Sequence, residues 1–376
     1  MVIGGAAAER TEVDGVRCMV MRGGTSKGLY FVAADLPADP ASRDDLLLAV
    51  MGSPDPRQID GLGGAHPLTS KVAVVGPATE PDIDVEYHFL QVLVDEARVT
   101  DRQNCGNLLA GVAPFALERG LLAGGGAGAN DQASVRVRIR LRNTGGVATA
   151  TIPLRHGRPR YDGTTAISGV PGTAAPIRLD FEDVAGSSCG ALLPTGNPVD
   201  RIGDIDATLV DNGMPVVVLR AADLGVRGDE TPRQLEADEA LRRRLEEIRL
   251  EAGTCMNLGD VAPLTVPKLT LVAPPLDGGT LATRTFIPHR CHEAIGVLGA
   301  VSVATAALLA EGPAADVACL DAGADGQDHV VVLEHPTGHF EAAVELVPND
   351  RGTPEVRRAG IIRTARKLMD GVVFPR

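Results

Sequence analysis

Two segments of the chain are apolar on every side rather than along a single stripe. They cover 105–122 (CGNLLAGVAPFALERGLL) and 291–311 (CHEAIGVLGAVSVATAALLAE), and each begins with a cysteine. Helices of this kind are buried all round, here against sheets. The second segment holds seventeen uncharged residues over 294–310, a length that would permit a membrane span. Its weak hydropathy favours a buried helix, so we predict two buried helices that each start at a cysteine.

Most of the remaining pattern predicts strands. Short apolar runs predict strands over 17–21, 29–32, 71–75 and 85–94. Over 134–142, aliphatic residues alternate strictly with four arginines, which indicates a strand with one buried face. We interpret the arginine face as solvated, with an anion-binding face as the alternative. Residues 230–251 have a helical spacing of apolar positions and predict one exposed amphipathic helix.

The two apolar segments recur almost half a chain apart with the same neighbours in the same order. A Leu-Thr pair and a strand led by lysine come before each segment, and a Thr-Gly hairpin pattern follows it. These landmarks are Lys71, Thr144 and Gly145 in the first half, and Lys268, Thr337 and Gly338 in the second. Several matches in one order indicate a duplication. The predicted fold class is therefore α+β, with two pseudo-symmetric, barrel-like sheets that are each wrapped around a central helix.

The boundary between the halves is expected where a segment rich in glycine, serine and proline begins at residue 187. This gives an N-terminal barrel-and-helix domain over 1–186 and a C-terminal one over 187–376. The sequence leaves open whether the last strand of the chain packs in the first domain.

Composition and charge exclude several classes of partner. The chain has 44 glycines and 26 prolines among 376 residues, which implies many turns, but only ten Phe and Tyr and no Trp. Few aromatic rings and a net charge of −13 argue against nucleic acid as a partner. Six scattered cysteines form no C-x-x-C pair, and 1–13 lacks the apolar core of a signal peptide. We expect a cytoplasmic protein that does not bind membranes.

The segment 22–28 (RGGTSKG) joins two predicted strands through a glycine-rich turn. It lacks the residue order of a P-loop, but it offers backbone amides, hydroxyl groups and two cations. These groups suit a carboxylate ligand. A plain hairpin loop is the alternative interpretation.

Lys71 and Cys105 are the candidates for proton transfer. Lys71 opens an apolar strand after Ser70, where it is either solvated or partly desolvated and able to take a proton. Cys105 lies in Asn104-Cys105-Gly106-Asn107 at a predicted helix start, where the helix dipole lowers the pKa of a thiol. An inert buried cysteine remains the alternative.

The sequence His289-Arg290-Cys291-His292 superficially suggests a metal site. It has no partner pair at zinc-like spacing, so an anion site fits its cations better. The chain contains no HExxH and no dinucleotide fingerprint, so a zinc hydrolase and a dinucleotide-dependent redox enzyme have no support.

Three motifs together resemble the PrpF family. They are the block 21–28, the stretch 69–72 after the glycines of 61–64, and the tetrad 104–107. The likeness extends over nearly the whole chain. Further stretches, at 51–61, 193–197, 211–216 and 286–292, favour the branch of the family that tautomerises 4-oxalomesaconate over the branch that isomerises 2-methylaconitate.

The resemblance implies a diaminopimelate-epimerase-like fold and an isomerase that works on a small unsaturated polycarboxylate without a cofactor or metal. It also implies that Lys71 is the catalytic base, with Cys105 as a candidate second proton carrier and Cys291 as a second thiol of lower rank. The expected substrate-binding residues are Arg22, Gly23, Gly24, Thr25, Ser26, Ser70, Asn104, Gly106, Asn107, Asn212, Met214, Arg284, His289 and His292.

Two other functions stay open at this point. One is a non-catalytic accessory protein of an aconitase-like enzyme. The other is an amino-acid racemase with Cys105 and Cys291 as paired thiols. The cationic candidates Arg22, Arg284, His289 and His292 argue against it, because an amino acid needs recognition of its ammonium group. The sequence leaves the oligomeric state open, with a homodimer among the alternatives.

Overall fold

The computed structural model describes residues 15–101, 104–122, 133–320, 329–349 and 352–375. The glycine-rich stretch 124–128 and the N-terminal segment 1–13 lie outside these residues. The chain divides into two compact units. Unit 1 comprises 1–128, 141–144 and 365–376, and unit 2 comprises 129–140 and 145–364.

Unit 1 is a sheet built on a central helix. Its elements are β1 (Val16–Gly23), β2 (Ser26–Val32), α1 (Pro40–Met51), β3 (Lys71–Pro77), β4 (Val85–Val92), β5 (Val99–Thr100), α2 (Gly106–Arg119) and β18 (Ala365–Val373). β1 pairs antiparallel with β18 and β2, β2 pairs in parallel with β3, and β4 pairs antiparallel with β3 and β5. The helix α2 packs against β1 to β4 and β18. Every residue from Leu108 to Ala116 in it is buried, as predicted for a helix that is apolar all round.

Unit 2 repeats this plan in a larger sheet. Its strands are β6 (Ser134–Leu141), β7 (Val147–Arg155), β8 (Arg158–Pro159), β9 (Ile177–Phe181), β10 (Asp200–Ile202), β11 (Ile205–Asp211), β12 (Pro215–Arg220), β13 (Lys268–Ala273), β14 (Leu281–Phe286), β15 (His329–His335), β16 (Gly338–Pro348) and β17 (Pro354–Arg363). Its helices are α3 (Pro232–Ala237), α4 (Glu239–Cys255) and α5 (Val297–Ala307). The helix α5 is buried from Gly299 to Ala307 and packs against β11, β12 and β15 to β17.

The two units share one strand order around their buried helices. In unit 1, the hairpin β1–β2 is followed by the parallel strand β3 and the antiparallel strand β4. In unit 2, the hairpin β11–β12 is followed in the same way by β13 and β14. The predicted α+β class with a repeated helix-and-sheet plan is confirmed. The predicted boundary near residue 187 separates the two repeated halves of the sequence, whereas the two compact units divide the chain at other positions. The boundary therefore stays a prediction.

Two predicted helices differ from the structure. The helix expected from Cys291 begins six residues later, at Val297, because Cys291 forms a β-bridge with Phe286. The His292 N–H also donates to the Thr285 carbonyl at 2.8 Å, which keeps this segment beside β14. The single helix expected over 230–251 is two helices, since the Asp238 carboxylate caps the start of α4 and interrupts the run.

The strand β6 has the predicted alternation. Val137 and Ile139 are fully buried, and the Arg138 guanidinium on the other face forms an ion pair with Glu182 at 2.6 Å. Among the described helices, none combines the length and the apolar character that crossing a bilayer requires.

Candidate active site

The glycine-rich segment is a tight hairpin turn rather than an extended loop. β1 runs to Gly23 and β2 starts at Ser26, so only Gly24 and Thr25 lie between the strands. Gly24 has a φ of +51°, a conformation that favours glycine and is typical of two-residue hairpins. The carboxylate-binding groups expected here are therefore held on paired strands.

The turn lies directly against the start of α2. A Cβ atom on Gly24 would be 2.2 Å from the Asn107 Oδ1, and one on Gly23 would be 2.5 Å from the Asn107 carbonyl oxygen. In the same way, a Cβ on Gly28 would be 2.5 Å from the Lys71 carbonyl oxygen. The glycines are needed for these close approaches. They bring the hairpin, the first residue of β3 and the first turn of α2 into one cluster.

Lys71 is a buried side chain in this cluster. It is 7% exposed and lies between Gly28 on β2 and Gln91 on β4. Its Nζ lies 5.0 Å from the centroid of the Phe89 ring, and no carboxylate among the described residues pairs with it. The Lys71 side chain is therefore available to contact a ligand.

Cys105 directly precedes α2, as the sequence predicts. Its backbone is extended (φ −124°, ψ 97°), and the thiol is buried, with 8% of the residue exposed. Two buried tyrosines fix the start of the helix: the Tyr87 hydroxyl donates to the Cys105 carbonyl at 3.3 Å, and the Tyr30 hydroxyl donates to the Leu108 carbonyl at 2.6 Å. Burial raises the pKa of Tyr87 well above its usual value, so this hydroxyl remains a donor. The amides of the first helical turn, at Gly106 and Asn107, have no acceptor within the helix itself.

Two polar atoms of the predicted site are buried without a partner among the described residues. They are the hydroxyl oxygen of Ser26, which is 1% exposed, and the Oδ1 of Asn104. The side-chain nitrogen of Asn104, Nδ2, donates to the Thr144 hydroxyl at 2.6 Å, which fixes the Asn104 side chain. Buried polar groups are normally hydrogen-bonded, so these two are candidates for ligand contacts.

Ser70 and Arg22 are engaged within the protein. The Ser70 hydroxyl is fully buried and donates to the Gln58 side-chain oxygen at 2.7 Å. Arg22 donates from Nη1 to the Gly24 carbonyl at 2.8 Å, which braces the turn. Burial and the facing Arg366 on β18 lower the pKa of Arg22. Sequence patterns missed Arg366, because no local signal connects a residue near the C-terminus with this hairpin.

Asn212 and Met214 lie in the turn between β11 and β12 of unit 2. The buried Asn212 side chain donates to the Thr305 hydroxyl at 2.8 Å, and its Oδ1 has no partner among the described residues. The Ser302 hydroxyl donates to the Met214 carbonyl at 2.7 Å and accepts from the Asn212 N–H at 3.0 Å. Both predicted residues thus hold the turn against α5.

Arg284 is largely engaged by backbone carbonyls. It is 7% exposed, and its guanidinium donates to the carbonyls of Glu230 at 2.6 Å and Thr283 at 2.8 Å. Burial lowers the pKa of Arg284 from its usual value. The two histidines are exposed: His289 lies 3.7 Å from a Glu246 carboxylate oxygen, and His292 accepts from the amide of Ala294.

Cys291 is a buried thiol in unit 2. Burial raises its pKa to about 12, so it stays protonated at neutral pH. Its N–H donates to a Glu236 carboxylate oxygen at 3.0 Å, and its sulfur lies 3.9 Å from the His292 carbonyl oxygen. Cys291, His292 and Arg284 are neighbours at the end of β14. Within the described ranges, no three His, Cys, Asp or Glu side chains converge as a metal site would require.

Comparison with known proteins gives consistent matches over almost the full length. The sequence model of one protein family, described as PrpF protein, matches residues 14–375. A relative from Novosphingobium sp. (strain KA1), named (4E)-oxalomesaconate Delta-isomerase, is 58% identical over 96% of this chain and 98% of its own. A relative from Pseudomonas putida (strain KT2440), named 4-oxalomesaconate tautomerase, is 55% identical over 95% of each chain.

One solved structure has the same architecture. The crystal structure of methylitaconate-delta-isomerase matches with a TM-score of 0.84 and 35% sequence identity, over 97% of this chain and 96% of that one. The family resemblance noted in the sequence is confirmed, together with the fold that it implies.

Proposed function

This chain belongs to the PrpF protein family and is an isomerase, and we propose that it catalyses the keto–enol tautomerisation of 4-oxalomesaconate. Lys71 is the base of this reaction and Cys105 is the second proton carrier. The observation that carries the proposal is the buried Lys71 side chain beside the start of α2, which has no carboxylate partner among the described residues. The buried Ser26 hydroxyl and Asn104 oxygen without partners support it.

The substrate's chemistry fits this set of groups. In 4-oxalomesaconate, a methylene carbon lies between a ketone and a carbon–carbon double bond. Lys71, as the neutral amine, takes one methylene proton and becomes an ammonium, and the electron pair of the broken C–H bond moves onto the ketone oxygen and the double bond. The resulting dienolate needs hydrogen-bond donors, which the Ser26 hydroxyl and the first amides of α2 supply.

The position of the returning proton decides the product. A proton on the oxygen gives the enol and completes a tautomerisation, whereas a proton on the far alkene carbon shifts the double bond. The Cys105 thiol donates this returning proton. Lys71 and Cys105 then regain their starting forms by proton exchange with solvent. One proton leaves and one arrives, so the reaction balances without a redox partner.

The test is to incubate purified protein with 4-oxalomesaconate in D₂O and follow the products by ¹H NMR. We expect loss of the methylene signal and formation of the enol, at rates that a metal chelator leaves unchanged. Deuterium on the far alkene carbon would instead identify the allylic shift. Activity that depends on added metal would contradict the cofactor-free mechanism.

A parallel incubation with 2-methylaconitate tests the neighbouring branch of the family. The proposal expects slower turnover of this compound than of 4-oxalomesaconate, and the reverse order would assign the protein to that branch. No exchange with either compound would overturn the enzyme proposal and favour the accessory role.

A further inference from the structure

The loop between α1 and β3, residues 52–70, leads directly into Lys71 and contains no helix or strand. Loops this long without regular structure are uncommon in compact domains and are usually functional. Such a loop keeps one conformation only where other hydrogen bonds replace those of regular structure. Gln58 lies within this loop and is 1% exposed, so its amide is placed to supply those bonds from inside.

The Gln58 side chain links three parts of the loop. Its oxygen accepts the Ser70 hydroxyl at 2.7 Å and the Ala65 N–H at 2.8 Å, and its nitrogen donates to the Ser53 hydroxyl at 3.0 Å. These partners lie near the start, in the second half and at the end of the loop. Gly63 packs directly on the amide, since a Cβ there would be 2.2 Å from the Gln58 Cδ. A buried amide bonded in this way specifies one arrangement of the chain around it.

The backbone of Gln58 has an unfavourable conformation. Its φ is +45°, in the left-handed region that residues with a Cβ atom rarely adopt. Strained backbone of this kind persists where the surrounding structure fixes it, and it is concentrated at functional sites. The side-chain hydrogen bonds of Gln58 therefore stabilise a conformation that its own backbone disfavours.

Ser70 connects the loop to Lys71, because a peptide bond joins these two residues. The carbonyl oxygen of that bond belongs to Ser70, and it accepts from the Gln91 side chain at 2.9 Å and from the Val92 N–H at 3.1 Å. Gln91 also lies opposite Lys71 in the pairing of β3 with β4. Ser70 is thus held at its hydroxyl by Gln58 and at its carbonyl by β4, and the backbone of Lys71 is fixed with it.

We propose that Gln58 is a positioning residue for Lys71, which it orients through the Ser70 hydroxyl without touching the substrate. The inference rests on the proposed function in taking Lys71 as the base. A misplacement of about 1 Å slows a reaction by about 100-fold, because the reacting groups no longer meet in the productive geometry. Loss of the Gln58 amide should therefore lower kcat and leave KM nearly unchanged.

The test replaces the Gln58 amide in two ways and measures turnover of 4-oxalomesaconate. Gln58→Met keeps the length of the side chain but cannot accept the Ser70 hydroxyl, so we expect kcat to fall at least about tenfold with KM within about threefold of the wild type. Gln58→Glu keeps an oxygen that accepts this hydroxyl and should restore kcat to within about threefold. The matched control is Gln234→Met, which removes hydrogen bonds to Thr231 at the start of α3 and should leave kcat unchanged.

A double-variant cycle tests whether the effect passes through Ser70. Ser70→Ala removes the same hydrogen bond from its other end, so it should also lower kcat, and the double variant should be no slower than Gln58→Met alone. Thermal unfolding shows whether each variant is folded, and Ser70→Ala keeps the test valid if Gln58→Met is not. Losses of kcat that multiply in the double variant would overturn the proposal, as would wild-type kcat in folded Gln58→Met.

The Lys71 side chain can also be observed without the reaction, because the chain has only four lysines. In protein labelled with ¹³C-lysine, the ε-methylene signal of Lys71 is the one that Lys71→Met removes. Gln58→Met should shift or broaden this signal and Gln58→Glu should restore it, while the signals of Lys268 and Lys367 stay in place. A shifted Lys71 signal in a protein without turnover would retain the positioning role and reject the reaction. An unchanged Lys71 signal in folded Gln58→Met would overturn the positioning role even if 4-oxalomesaconate is turned over.

Discussion

Replacing Gly24 with alanine should show how much the site depends on the contact between the hairpin turn and α2. Alanine at a φ of +51° costs about 1–2 kcal/mol, because left-handed backbone is unfavourable with a Cβ atom. The new Cβ would also lie 2.2 Å from the Asn107 Oδ1 and 2.8 Å from its Cγ. The Asn107 side chain must therefore turn away and lose its 3.4 Å contact with the Thr25 N–H, for about 1–2 kcal/mol more.

Gly120→Ala is the matched control for this prediction. Gly120 ends α2 with a φ of +67°, and a Cβ there meets nothing within 4 Å, so it carries the backbone cost alone. Urea unfolding should give a loss of about 2–4 kcal/mol for Gly24→Ala and about 1–2 kcal/mol for Gly120→Ala. KM should rise only in the Gly24 variant. Equal losses of stability with equal KM values would refute the claim that the turn and the helix start form one packed site.

Four further variants test single side chains. Ser26→Ala should leave the unfolding free energy unchanged or slightly raised, since it removes a buried hydroxyl without a partner, and should raise KM about tenfold. Ser70→Ala should instead cost about 1 kcal/mol, because it breaks the bond to Gln58; the same result for both serines would contradict this assignment. Cys291→Ser should keep turnover and its pH profile, because a thiol with a pKa of about 12 is protonated throughout the assay range, and a large loss would revive paired-thiol chemistry. Burial lowers the pKa of His335 from 6.5 to about 4, so the unfolded chain binds more protons in this window and stability should fall as pH drops from 6.5 to 4. His335→Gln should flatten that dependence in urea titrations, and an unchanged slope would show that other groups cause it.

Local sequence patterns predicted those helices and strands whose own residues determine which faces are buried. The alternation of β6 and the all-round apolar character of α2 were sufficient, and the start of α2 follows directly after Cys105. The three candidate site motifs each lie at the end of an element where the pattern changes, and their role in a functional site stays a prediction. These motifs pack together through glycines such as Gly23 and Gly28, which lie against residues that are distant from them in the sequence.

The features that the sequence did not indicate depend on long-range contacts. Ala294 and Ile295 are as apolar as the helix that follows them, so composition alone extends α5 back to Cys291. It is the bridge from Cys291 to Phe286 that keeps this segment out of the helix. The buried tyrosine that fixes the start of α2 from β4, Tyr87, has no local signal either.

The role of Lys71 as the base is tested most directly by deuterium exchange at the substrate methylene in D₂O. The wild type should exchange this proton, and folded Lys71→Met should be slower by at least about 100-fold, the usual contribution of a positioned base. Lys367→Met is the control: it removes an exposed lysine that pairs with Glu118 and should exchange at nearly the wild-type rate. Exchange by the Lys71 variant within tenfold of the wild type would contradict the account.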